Sequence, residues 1–140
     1  MRGIRLWIIP AICLMAVFVG VQIWGNVMQS DETILPASEA DWTVLPNGWR
    51  RQSIFSGKLT MAVIEAKGPE QGPILLHHHE HDQVTYLIDG EIEVQIGEEV
   101  RKIGPGGAYR VPSNVPHGIR VLTPTARLID AFTPPREDFR

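Results

Sequence analysis

The chain has 140 residues, 44% of them hydrophobic and 21% charged, the balance of one ordinary globular domain. Its formal net charge of −3, with no basic run, excludes nucleic-acid binding through a cationic surface. The single cysteine, Cys13, excludes an intramolecular disulfide.

The first predicted element is a transmembrane helix within residues 1–28. Residues 6–25 read LWIIPAICLMAVFVGVQIWG, 20 positions with Gln22 as the only strongly polar one. A bilayer span needs about 20 such residues. Arg2 and Arg5 precede it, and Asp31 and Glu32 follow. The positive-inside rule then keeps the N-terminus cytoplasmic and puts the rest of the chain across the membrane, as a single-pass protein. A signal peptide removed to release a secreted protein is the rival reading. No small-x-small site closely follows the apolar run, which favours an uncleaved anchor. Residues 29–41 (QSDETILPASEAD) are polar and read as a linker.

From Trp42 onward, short apolar stretches alternate with Gly and Pro, and residues 42–140 read as one all-β domain. Strands are predicted at 42–45, 49–55, 58–67, 84–88, 92–96, 100–103, 108–111, 118–122 and 127–132, within a total of about ten. The 58–67 stretch could pass for a helix by composition, but its flanking glycines favour a strand. Asp89-Gly90 between two alternating runs predicts a β-hairpin. Many short strands without a helix point to a sandwich or barrel.

Four of the five histidines fall in PILLHHHEHDQVTYLIDG, residues 73–90. In an extended strand, side chains two apart share a face. His77 and His79 therefore point together, His78 points away, and Gln83 keeps the parity of the pair. The fifth histidine, His117, heads an inward row with Ile119 and Val121. Three imidazoles and one side-chain oxygen suit a divalent transition metal: Ni, Mn, Fe, Cu or Zn. A set with His81 in place of Gln83 is the alternative. Ala126, Leu128, Asp130 and Phe132 also share a face, which leaves Asp130 in an apolar row. A carboxylate there needs a partner, such as Arg136 or Arg110, or a function. Tyr86, Tyr109 and Arg110 are further candidates to line a cavity.

These residues resemble the two motifs of the cupin superfamily. The first, roughly G-x5-H-x-H-x3–4-E-x6-G, aligns His77, His79, Gln83 and Gly90. The second, roughly G-x5-P-x-G-x2-H-x3-N, aligns Gly106, Pro112, Asn114 and His117. Gln83 stands in place of the usual Glu, Asn114 in place of Gly, and Val121 in place of the last Asn. Gly72 is off register by one position for the first glycine. The resemblance implies a small jelly-roll β-barrel that holds a metal and commonly pairs as a homodimer.

The ending IDAFTPPRED and the run H-x-H-x-H-x-Q are similar to one cupin group, which converts 4,5-unsaturated galacturonate to its linear keto form. That likeness implies metal ligation by His77, His79, Gln83 and His117. It also implies an active site completed by Asp130, Phe132 and Arg136. Chemically, neutral ligands leave a metal's double charge uncompensated, which favours Lewis-acid work. Asp130 suits proton transfer, and Arg136 suits a substrate carboxylate. Phe132 and Tyr86 would contact the substrate. A small, anionic sugar or keto acid is the expected ligand. A cupin dioxygenase and a non-catalytic, membrane-tethered binding protein are the alternative functions.

Overall fold

The structure is a computed structural model that describes residues 42–140. The expected membrane segment, 1–28, and linker, 29–41, lie outside the described residues. Among the described residues no helix is long and apolar enough to cross a membrane.

Nine strands follow in chain order: β1 (Thr43–Val44), β2 (Arg50–Phe55), β3 (Thr60–Lys67), β4 (Asp82–Asp89), β5 (Ile92–Ile96), β6 (Glu99–Ile103), β7 (Ala108–Val111), β8 (His117–Val121) and β9 (Thr125–Thr133). A 3-10 turn, Glu137–Phe139, comes after them. The pairings are antiparallel and form two sheets, ordered β1-β2-β3-β9-β4-β7 and β6-β5-β8.

Period-2 alternation sets the inner faces. On β3, Thr60, Ala62, Ile64 and Ala66 are buried while Met61 and Lys67 are exposed. That pattern resolves the 58–67 stretch as strand, with small alanines where two sheets approach. On β4, Gln83, Thr85 and Leu87 point inward, and Val84, Tyr86 and Ile88 point out. On β9, Ala126, Leu128 and Phe132 are buried, and register pairs them with Ala66, Ile64 and Thr60 on β3. These side chains join Leu87, Ile92 and Val121 in one core. Fully burying a residue such as Leu87 or Ile92 contributes about 1.5–3 kcal/mol.

Two local expectations are corrected. Asp89-Gly90 does not close a hairpin. β4 pairs with β7 and β9 in the large sheet, whereas β5 pairs with β6 and β8 in the small one. The dipeptide is instead the corner where the chain leaves one sheet for the other. Gly90 has φ +82°, and a Cβ there would meet the Thr125 carbonyl oxygen and lie 2.8 Å from Ala126 Cα. The two-residue hairpin is at Gly97-Glu98, where Ile96 pairs with Glu99. The histidine stretch is also not a continuous strand. His77 makes one isolated bridge to His117, and residues 78–81 form a loop that leads into β4.

Candidate metal centre

His77 and His117, 40 positions apart in the chain, are tied by reciprocal backbone bonds. The His77 N–H donates to the His117 carbonyl at 2.9 Å, and the His117 N–H to the His77 carbonyl at 2.8 Å. This places their rings 4.3 Å apart. Gly118 permits the approach, since a Cβ there would lie 2.5 Å from the Leu75 carbonyl oxygen. The His79 carbonyl accepts the N–H of Asn114 at 2.7 Å. Asn114 holds the left-handed conformation, φ 61°, that its side chain tolerates. The His79 ring lies 4.7 Å from that of His117. One ring nitrogen from each of His77, His79 and His117 falls within 4.8 Å of the others.

Hydrogen bonding assigns the proton on each ring. His117 Nδ1 is 2.8 Å from the Val115 carbonyl, so it carries the hydrogen and donates it. Its Nε2 is left with a lone pair, buried and without a partner. His79 Nδ1 is 3.0 Å from the His81 carbonyl, and its Nε2 is 3.1 Å from Gln83 Oε1. The Gln83 amide cannot turn over to relieve this contact, because its NH₂ donates to Thr85 Oγ1 at 2.9 Å and to Asp130 Oδ1 at 3.2 Å. His79 therefore faces two acceptors, and a neutral imidazole has one N–H. With the proton on Nδ1, two lone pairs meet at Gln83. A cation between them resolves the conflict.

Full protonation of the imidazole is disfavoured. Burial, then the charge of Arg136, holds the His79 pKa below its ordinary value. Burial, then His117 and His79, pushes His77 down to about 4. Burial likewise lowers His117. The rings are thus neutral lone-pair donors at neutral pH, as metal ligands must be. Three imidazoles and an amide oxygen fit a divalent transition metal.

Beside the three histidines lies a cavity of about 250 Å³, also lined by Trp49, Tyr109, Asp130, Phe132 and Arg136. Asp130 accepts the Thr85 hydroxyl at 2.6 Å. Thr85 has one proton to give, so its oxygen accepts from Gln83. Burial raises the Asp130 pKa to about 6, against the lowering effect of these bonds and of Arg136. Phe132 packs edge-on to His79 at 5.7 Å. The Arg136 backbone N–H donates to Thr60 Oγ1 at 2.9 Å. Its Nε and Nη2 donate to the two carboxylate oxygens of Asp138 at 2.8 and 2.7 Å.

Comparison with known proteins agrees with this geometry. Residues 62–132, about half of the chain, match the cupin domain family. The chain is a cupin. It is 38% identical over 104 residues to the pectin degradation protein KdgF of Dickeya dadantii (strain 3937), covering 72% of this chain and 92% of that one. It superposes on an RmlC-like cupin from Shewanella frigidimarina NCIMB 400 with TM-score 0.71 and 32% identity, covering 81% of this chain and 100% of the other. KdgF from Halomonas sp. gives TM-score 0.68 and 29% identity, over 78% and 99% of the two chains.

In this cupin the expected site residues converge, with one exception. Tyr86 is 50% exposed on the outer face of the large sheet and does not line the cavity. In an unbroken strand it has the opposite parity to Gln83 and cannot share its side. The inward tyrosine is Tyr109 on β7, the register partner of Thr85. Burial, then Asp130, raises its phenol pKa. Asp130 is partnered by Thr85 and Gln83 and makes no direct bond to Arg136 or Arg110. His81 is buried, but its ring is outside the converging set, and His78 is exposed. Thr85 and Asp138 escaped the sequence reading. Thr85 was visible by parity with Gln83, while Asp138 needed the 3-10 turn.

Because the rings are held neutral, metal uptake should resist acid. Calorimetric titration of the metal-stripped full chain with Ni²⁺ is expected to show little loss of affinity as pH falls through 6.5, the ordinary imidazole value, with the loss displaced to more acid pH because all three rings are held below that value. A steady decline that begins above 6.5 would contradict this arrangement.

Proposed function

We propose that this cupin opens the ring of 4,5-unsaturated galacturonate, or a closely related unsaturated uronate, to the linear keto acid. The observation that carries the reading is Asp130. Its carboxylate, with a pKa near 6, shares the Gln83 amide with the metal centre and opens onto the cavity lined by Arg136. The likeness to a pectin degradation protein supports the substrate class.

The reaction is an isomerisation and needs no oxidant. The anomeric hydroxyl loses its proton as the bond from C1 to the ring oxygen breaks, which leaves an aldehyde at C1 and an enol at C5. C4 then gains a proton as the enol becomes a ketone. One group that can accept and return a proton near neutral pH serves both steps, and Asp130 is that group. Thr85 and Gln83 hold its carboxylate in place. Arg136 takes the substrate carboxylate side-on in exchange for Asp138. Phe132 and Tyr109 wall off water. A bound divalent ion supplies Lewis acidity, which its neutral ligands leave undiminished.

With the metal-loaded full chain and 4,5-unsaturated galacturonate, NMR should show metal-dependent loss of the enol-ether signal. Asp130→Asn is expected to lower kcat by about 10²–10⁴-fold, the usual worth of a general acid–base. Metal binding without turnover would sink this substrate and turn the search to oxygen uptake.

In this proposal, residues 1–28 anchor the chain and 29–41 link it to a domain outside the cytoplasm. The charges flanking the apolar run support this. Protease added to sealed, right-side-out vesicles is expected to digest the domain, and protection would place it inside. The protein also pairs as a homodimer. On the outer face of the large sheet, register aligns Met61, Ala131 and Val84 in one row and Val63, Ile129 and Tyr86 in the next. Such an apolar patch supports a protein contact. Val84→Asp should shift the sedimenting species from dimer to monomer; wild-type monomer would remove the pairing.

A further inference from the structure

The C-terminal wall of the cavity carries more positive charge than its carboxylate neutralises. Arg51 on β2 has the inward parity of its register partner, the buried Ile64, and it lines the cavity with Arg136. Its guanidinium lies 3.6 Å from the centroid of the Phe139 ring, and that of Arg136 lies 4.3 Å from the same centroid. Phe139 in turn packs edge-on to Phe132 at 5.3 Å. Two cations thus share one aromatic platform at the mouth of the metal centre.

Asp138 is the carboxylate beside them. It takes both fork donors of Arg136 and acts on Arg51 only through space. Among the described residues, Arg51 has one hydrogen bond, a long contact of 3.5 Å from Nη2 to the Phe139 carbonyl. Burial disfavours its charge and lowers its pKa, but a guanidinium stays protonated. A partly desolvated cation with a weak partner is costly unless a ligand supplies the missing charge. The Asp138 carboxylate is exposed, whereas the Arg136 side chain is 13% exposed. The resident anion therefore sits on the solvent side of the fork, from which it can be exchanged.

We infer that Arg51 is a second contact for the ligand's carboxylate, acting with Arg136 across the Phe139 ring, and that Asp138 is the resident carboxylate which the ligand displaces. The inference rests on the acidic-ligand part of the function proposed above and names the residue that reads the charge. The class it selects is a small sugar acid with one planar carboxylate.

The test uses the metal-loaded full chain, with D-galacturonate as an unreactive anion and D-galactose as its neutral counterpart, both followed by calorimetry. Galacturonate should bind and galactose should bind far more weakly. Arg51→Gln should weaken galacturonate by about tenfold or more, the worth of one hydrogen bond to a charged group, while Arg51→Lys keeps most of the binding. Asp138→Asn, which leaves both arginines, should tighten it. Equal affinity in wild type and Arg51→Gln overturns the role of Arg51, as does a wild type that ignores galacturonate. Unchanged or weaker binding in Asp138→Asn overturns the displacement, and if Arg51→Gln does not fold, Arg51→Met in its place decides the role of Arg51. Loss of binding in Arg51→Gln without turnover of the unsaturated uronate would keep Arg51 and reject the reaction. Turnover with undiminished binding would do the reverse.

Discussion

An imidazole has two ring nitrogens and, when neutral, one hydrogen. At His79 both nitrogens face oxygen acceptors, the His81 carbonyl and the Gln83 amide oxygen. The rest of the site is arranged around that mismatch. Gln83 cannot reverse because Thr85 and Asp130 hold its NH₂. Asp130 is held in turn by the Thr85 hydroxyl, which donates its only hydrogen bond to it. Phe132 closes the edge of His79, and Arg136 adds positive charge that discourages a second proton on the ring. One chain of hydrogen bonds therefore joins the three-histidine cluster to the Asp130 carboxylate. A change at either end is felt at the other.

The neutrality of the ligand set has its own consequence. The superfamily motif would place a glutamate at position 83, next to Asp130. Two carboxylates at that spacing could not both be ionised without cost, and the pKa of one would rise steeply. The amide avoids this competition. It orients Asp130 through an N–H and offers its oxygen to the centre, so the carboxylate pKa is set mainly by burial.

Much of this was legible in the chain because strand parity is strict. Asp130 in the row of Leu128 and Phe132, and Gln83 in phase with His79, follow from a period of two. The expectation for Tyr86 overlooked the same rule, since Tyr86 is out of phase with Gln83, and the structure shows Tyr109 on the inner face. Asp89-Gly90 misled for a different reason. Its left-handed glycine serves a hairpin and a corner between sheets equally well, and partner choice is a long-range property that local turn chemistry does not encode. Arg51 was hidden because Arg50 and Arg51 are adjacent and identical. Only pairing with β3 shows that Arg50 meets Glu65 outside while Arg51 sits opposite buried Ile64. The expected membrane segment, read from the apolar run at 6–25, belongs to residues outside those the structure describes.

The bridge between His77 and His117 reaches further than the chemistry. His117 belongs to the small sheet and Gln83 to the large one, so a cation held by these residues together with His77 and His79 would pin the two sheets at their open end. Opening the barrel there would require the ion to leave first. A single ion would then do for this chain what a crosslink does in disulfide-rich domains. It would lengthen the lifetime of the folded state by closing the loop between residues 77 and 117, with no thiol for an oxidant or reductant to act on. The durability of the fold would then depend on the same four side chains that hold the ion.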